Sequence, residues 1–430
     1  MSRLLLRQVH VIDPGGPVHG QDVDVLVEDG RVTRIGQRLP KGDARELRRP
    51  GLHASPGWVD LRAHFREPGE ETKEGVINGL DAAAAGGFTA VAVLPSTHPV
   101  IDDSSRVEHL LRRSEGHLVR LMPLGALSKG LQGQQLAELY DMHRAGAVAF
   151  TDDQEPLRNP RLLLLALQYA GVFGGTVITF PQDPELLGQG QMHEGPLSAR
   201  LGMRGVAPLA EQVRLGRDIA LLEYTASRLH AATISTAEGV ALVRAAKSKG
   251  LAITASVAAH HLLLDDGCLR GFDTVYKVMP PLRDAVTIEA LRDGVKDGTI
   301  DTIVSDHRPE DIEHKKVEFG QAAFGMGGIE TAFAVANTAL KGHMSLRRII
   351  ERFTHGPRKA LGLPVQHIAE GSAADLTLFD PEESWTYEKA AAVSRADNSP
   401  FFGQQLTGRP LGIVRGGGHH WSPALQETAV

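Results

Sequence analysis

A chain of 430 residues, 42% apolar and 23% charged, has globular composition and is too long for one compact core of ordinary size. A net charge of −6 without a basic run leaves no nucleic-acid footprint, and the single cysteine, Cys268, excludes an internal disulfide. No apolar run reaches the roughly 18 residues that span a bilayer, and the opening MSRLLLRQVHVIDPGG lacks a secretory core and cleavage site, so a soluble cytoplasmic protein is expected.

The first elements are strands: LLLRQVHVID (4–13) and DVDVLVEDGRVTRIG (22–36), the second folding back through an Asp-Gly turn. From residue 56 the pattern changes. Apolar runs at 56–61, 88–95, 119–126, 145–151, 175–180, 228–235, 251–258 and 300–305 alternate with helical segments such as PRLLLLALQYAG and AEGVALVRAAKSKG. Eight such units predict a TIM-type (β/α)8 barrel, and runs that are apolar throughout suit parallel strands covered on both faces. A doubly wound open sheet is the alternative. Near the end, ADLTLFD (374–380) and RPLGIVRGGG (409–418) read as strands again. Both termini are thus expected to form a small β-sandwich module, residues 1–54 and 366–430, flanking a barrel over 55–365. There is no G-x-G-x-x-G, P-loop or internal repeat of 20–50 residues.

Barrel chemistry sits at the C-terminal ends of the strands. These ends carry Asp60, Arg62, His64 and Arg66; Ser96; Asp152 and Asp153; Phe180; Thr233; His260 and His261; and Asp306 and His307. A zinc hydrolase needs several N or O donors converging on one point, with a place left for a water whose pKa the metal lowers to about 7. His64, Asp153 and Asp306 fit that need. Phe180 has no donor atom, a neutral Thr233 hydroxyl is a weak one, and the permanent charge of Arg62 repels a cation. Arg62 is instead expected to pair with Asp153 and Asp306 in the barrel mouth. His230, three residues before Thr233, is expected by strand alternation to face away from it, and His307 away from Asp306. No Ser-His-Asp or Cys-His arrangement stands out, and Cys268 in GCLRG looks incidental.

The stretches PGWVDLRAHFREPGEETKE, GGFTAVAVLPSTHPVID, AGAVAFTDDQ, KVMPPLR, DGTIDTIVSDHRP and EGSAADLTLFD, within a match over residues 5–415, resemble the dihydroorotases of the amidohydrolase superfamily. The resemblance implies the same barrel and β module. It also implies a strand-one motif like DxHxHxRxP, with two metal-binding histidines and an arginine for the substrate carboxylate. Arg62 stands at the first histidine, His64 at the second and Arg66 at the arginine. Among the other implied metal positions, Asp153 and Asp306 are retained, the latter also the proton shuttle and the one catalytic residue expected if the chain is active. Phe180 and Thr233 replace histidines.

Of the implied substrate groups, Ser96 (LPST for MPNT) and Met279 replace asparagines, and Glu310 (DHRPE for DHAPH) replaces a histidine. The chain is most similar to the catalytically inactive dihydroorotase-like proteins that associate with aspartate transcarbamoylase. That likeness implies no metal or other cofactor, an assembly role beside the transcarbamoylase catalytic chain in pyrimidine biosynthesis, and a homo-oligomer. The alternative is an active cyclic amide hydrolase with one zinc ion, completed by His260 or His261.

Overall fold

The computed structural model describes residues 3–426; residues 1, 2 and 427–430, assigned above to the β module, lie outside the described residues. The N-terminal segment builds β1 (Arg3–Val11), β2 (Asp22–Glu28), β3 (Arg31–Gly36), β4 (Arg45–Arg48) and β5 (His53–Pro56). The β2–β3 turn has positive φ at both Asp29 (48°) and Gly30 (75°), the pattern of a tight hairpin whose twist matches its strands.

The eight apolar runs become β6 (Trp58–Ala63), β7 (Phe88–Val93), β8 (Arg120–Gly125), β9 (Ala149–Phe150), β10 (Val177–Thr179), β13 (Leu229–Ala231), β14 (Ile253–Ala258) and β15 (Thr302–Val304). A two-stranded pair, β11 (Met192–His193) and β12 (Gly205–Val206), is inserted after β10. The eight strands pair in parallel in chain order, and a parallel bridge between Ala63 and His307 joins the last to the first. The expected barrel is therefore what forms, not the open sheet. Every residue of β6, β7 and β14 is buried, as strands with helices outside and side chains inside must be.

The barrel interior is narrow and built from small and branched side chains, including Val59, Leu61, Ala90, Ala92, Leu124 and Val304. Ala360 and Leu361 of helix His355–Leu361 join that cluster. The same helix sits at the strand starts: Arg358 Nη1 donates to Gly57 O at 2.9 Å, and Gly356 packs on Asp301 O so closely that a side chain there would clash.

The chain returns through β16 (Asp375–Thr386), β17 (Gln405–Arg415) and β18 (Gly418–Trp421). β16 pairs with β5, so the termini share one path of paired strands, β18-β17-β16-β5-β1-β2-β3, with β4 beside β1. The module, expected as a sandwich, is one run of paired strands, and β5 straddles the boundary placed at 54/55. Module and barrel meet on an aromatic cluster: Trp58 lies 4.5 to 6.3 Å, centroid to centroid, from Phe333, Phe379, Phe353 and Phe88. Among the described residues no helix is long and apolar enough to cross a membrane.

Candidate functional site

At the barrel mouth the Arg62 side chain lies between two carboxylates. Its Nη2 donates to Asp153 Oδ1 at 2.6 Å and its Nε to Asp306 Oδ1 at 2.7 Å. Its guanidinium carbon lies 5.4 Å from the centre of the Phe180 ring, a cation–π contact. Arg62 is 2% exposed, Asp153 3% and Asp306 6%, so water screens these pairs little. The other Asp153 oxygen accepts from Ser96 Oγ at 2.6 Å and from Arg308. Burial alone would raise the Asp153 carboxyl, but Arg308 and Arg62 outweigh it and hold the group far below the usual carboxylate range.

A second ion cluster adjoins the first. Arg66 donates to Glu310, to Glu70 at 3.1 Å and to the Pro309 carbonyl at 3.1 Å. Lys73 Nζ lies 2.9 Å from Glu310 and 2.6 Å from Glu70. Four cations (Arg62, Arg66, Lys73, Arg308) thus face four anions (Glu70, Asp153, Asp306, Glu310). The mouth offers no excess charge to draw in a metal ion or an anionic ligand.

His64 is buried, and both its ring nitrogens are engaged. Nδ1 accepts from the Arg66 backbone N–H at 3.1 Å, which leaves the proton on Nε2 to bond Ser96 O at 2.9 Å. Burial, with Arg66 and Arg308 nearby, pushes His64 well below its ordinary value, so the ring is neutral. Phe180 and Met279 pack with Val206 in an apolar cluster. Thr233 Oγ1 is buried with no hydrogen-bond partner.

This donor set does not fit a metal. A cation held by Asp153 and Asp306 would lie against a guanidinium, His64 Nε2 points at a carbonyl, and Phe180 and Met279 supply only apolar surface. Among the described residues no three carboxylate, imidazole or thiol donor atoms converge at the mouth. The backbone nevertheless keeps costly shapes here: Arg66 (φ 61°), Asp153 (51°), Thr233 (48°) and Asp306 (46°) are all left-handed. For a β-branched residue such as Thr233 that conformation is strained.

The remaining strand-end residues are placed as follows. Asp60 accepts from Ser305 N (3.0 Å) and from Ser305 Oγ, tying β6 to β15, and burial pushes its carboxyl up to about 6. Asp152 accepts from the backbone N–H groups of Leu127 and Ser128. His307 turns away from the mouth to Glu74 at 3.2 Å. His261 bonds Pro280 O at 3.0 Å, while His261 Nδ1 and His260 Nε2 have no hydrogen-bond partner. Burial lowers both rings to about 3. Cys268 is half-buried in the turn Asp266–Gly271.

His230 Nε2 shares Ser256 Oγ (3.1 Å) with the Thr233 backbone N–H (2.9 Å). Thr233 lies beyond the end of β13 with φ of 48°, so period two no longer applies there. Three site residues had not been singled out. Arg308 was visible as the replacement inside DHRPE, whereas Glu70 reaches Arg66, and Lys73 reaches Glu70 and Glu310, only through the loop that follows β6.

Residues 53–239 match a family model described as dihydro-orotase-like, and residues 223–418 one described as amidohydrolase family. A dihydroorotase of Anaeromyxobacter dehalogenans (strain 2CP-C) is 42% identical over 419 residues, covering 96% of each chain. One of Pelotomaculum thermopropionicum is 41% identical over 418 residues, covering 96% of this chain and 97% of its own. Among solved structures, the L-hydantoinase (dihydropyrimidinase) of Arthrobacter aurescens superposes with a TM-score of 0.86 at 23% identity, covering 97% of this chain and 96% of that one. At that identity the likeness speaks for the fold alone.

Proposed function

The chain belongs to the dihydroorotase family of the amidohydrolase superfamily, and on that premise we propose that it is a catalytically silent member serving pyrimidine biosynthesis as an assembly subunit. The observation that carries this reading is the Arg62 side chain bridging Asp153 and Asp306 at 2.6 and 2.7 Å. Hydrolysis of a cyclic amide needs an activated water and a group that holds the substrate carboxylate. The cation that would activate water is displaced by a guanidinium. The arginine that would hold the carboxylate, Arg66, already carries that of Glu310. In this reading Arg62 does the electrostatic work that a metal does elsewhere in the family, balancing buried carboxylates without chemistry.

The partner in this reading is the aspartate transcarbamoylase catalytic chain, and its compartment is the cytoplasm. Support comes from the motif resemblance and from a barrel kept intact around a filled mouth. Two purified proteins that failed to co-elute in size-exclusion chromatography at micromolar concentration would remove the partner from the proposal.

A second reading is an active cyclic amidohydrolase. The names of the relatives favour it, as do the unpartnered His260 Nε2 and His261 Nδ1. It requires Arg62 to leave both carboxylates. A ring-opening assay on dihydroorotate, with and without added zinc, separates the two. The silent reading expects no turnover above the enzyme-free rate in either condition. Zinc-dependent turnover abolished by Asp306→Asn would replace it with the second.

A further inference from the structure

The histidines and carboxylates outside the mouth include one set that has not found cations. Asp13, just past β1, His355, the first residue of helix His355–Leu361, and His367, in the segment leading to β16, each offer one donor atom, and these atoms all lie within 4.8 Å of one another. Asp13 is fully buried and His367 Nδ1 lies 2.9 Å from its Oδ1. The other carboxylate oxygen accepts the Ile368 backbone N–H at 2.7 Å, which fixes the carboxylate's orientation. His355 Nε2 is buried and has no hydrogen-bond partner. Among the described residues no arginine or lysine is paired with Asp13, in contrast to Asp153 and Asp306.

We propose that Asp13, His355 and His367 form a structural site for a divalent transition-metal ion of the zinc class. Two imidazoles and one carboxylate suit zinc, and tetrahedral bonds of about 2.0–2.2 Å put neighbouring donors about 3.3 Å apart. The Asp13–His367 pair need widen by only a few tenths of an ångström, and the donors within 4.8 Å need contract. Binding needs the Nδ1 lone pair of His367, so the proton now shared with Asp13 leaves that nitrogen and the neutral ring carries its proton on Nε2 instead. The Ile368 N–H bond is the outer contact that orients the carboxylate ligand. His367 is 36% exposed, so the ion has an entry and a water can complete its coordination.

The location gives the ion a mechanical role. Helix His355–Leu361 lies at the strand starts, through Arg358 on Gly57 O and Gly356 on Asp301 O. The site is therefore at the end of the barrel opposite the mouth. Its three ligands come from the turn just past the first module strand, the barrel's last helix and the returning linker, so one ion would clip the β module to the barrel.

The test uses the full chain, stripped with a chelator, reloaded with zinc chloride and dialysed. Elemental mass spectrometry should find one zinc per chain in the wild type and in the mouth variant His64→Gln, and less than a tenth of that in His355→Ala/His367→Ala. Zinc should raise the wild-type unfolding midpoint by about 3 °C and leave the double variant's unmoved. If the double variant unfolds, the single variants His355→Asn and His367→Asn, checked by circular dichroism, take its place. Cobalt(II) should then give a tetrahedral visible spectrum in the wild type that either substitution abolishes. A wild type that retains no zinc, or a double variant that retains as much, overturns the proposal.

Discussion

The barrel mouth and the module–barrel junction both gather aspartates and histidines, yet they use them differently. At the mouth Asp153 and Asp306 each have a guanidinium on them, and His64 is tied at both nitrogens. At the junction the Asp13 carboxylate meets, among the described residues, imidazoles and one backbone N–H, and a ring nitrogen of His355 is left over. The residue types alone would nominate the mouth as the metal site. The pairing of each donor atom nominates the junction.

The largest effect expected from breaking this contrast is at Arg62. Arg62→Met leaves Asp153 and Asp306 buried without the cation they share and should cost about 3–5 kcal/mol in urea unfolding. A loss below about 1 kcal/mol would mean that Arg62 is not what neutralises the carboxylates. Next comes acid. His260 and His261 are held near 3 in the fold against 6.5 unfolded. Between those values the unfolded chain binds protons that the folded chain does not, so stability must fall as pH falls through that window. A loss of about 5 kcal/mol from pH 6 to pH 4 is expected for the two together, and His260→Leu/His261→Gln should flatten it. The smallest effect is at Thr233. Its hydroxyl is buried without a partner, so Thr233→Val keeps the shape, removes the orphan group and should be neutral or stabilising by up to about 1 kcal/mol. A clear destabilisation would show that the hydroxyl has a ligand.

Much of this was legible in the residues. The eight barrel strands coincide with the eight apolar runs because a parallel strand buried on both faces must be apolar throughout. The contact of Arg62 with Asp153 and Asp306 follows from the rule that strand ends converge, combined with opposite charge. What stayed hidden depends on loops. Glu70 closes on Arg66 and Lys73 on Glu70 because the chain after β6 doubles back, and no periodicity encodes that. Alternation also stops short of Thr233, which lies past the last paired residue of β13. The set at Asp13, His355 and His367 spans more than 350 residues of sequence, and only the closed barrel and the return of the C-terminal strands bring it together.

The aromatic cluster around Trp58 has a spectroscopic consequence. The chain has three tryptophans, and Trp385 and Trp421 lie on β16 and β18 of the module. Trp58 lies where module and barrel meet, and none of the three is in the mouth. Intrinsic fluorescence therefore reports on the seating of the module while the ion lattice of the mouth stays dark. Excited at the indole band, the protein should show a red-shifted emission when the module lifts, and an unchanged spectrum when only the charges at the other end of the barrel are rearranged.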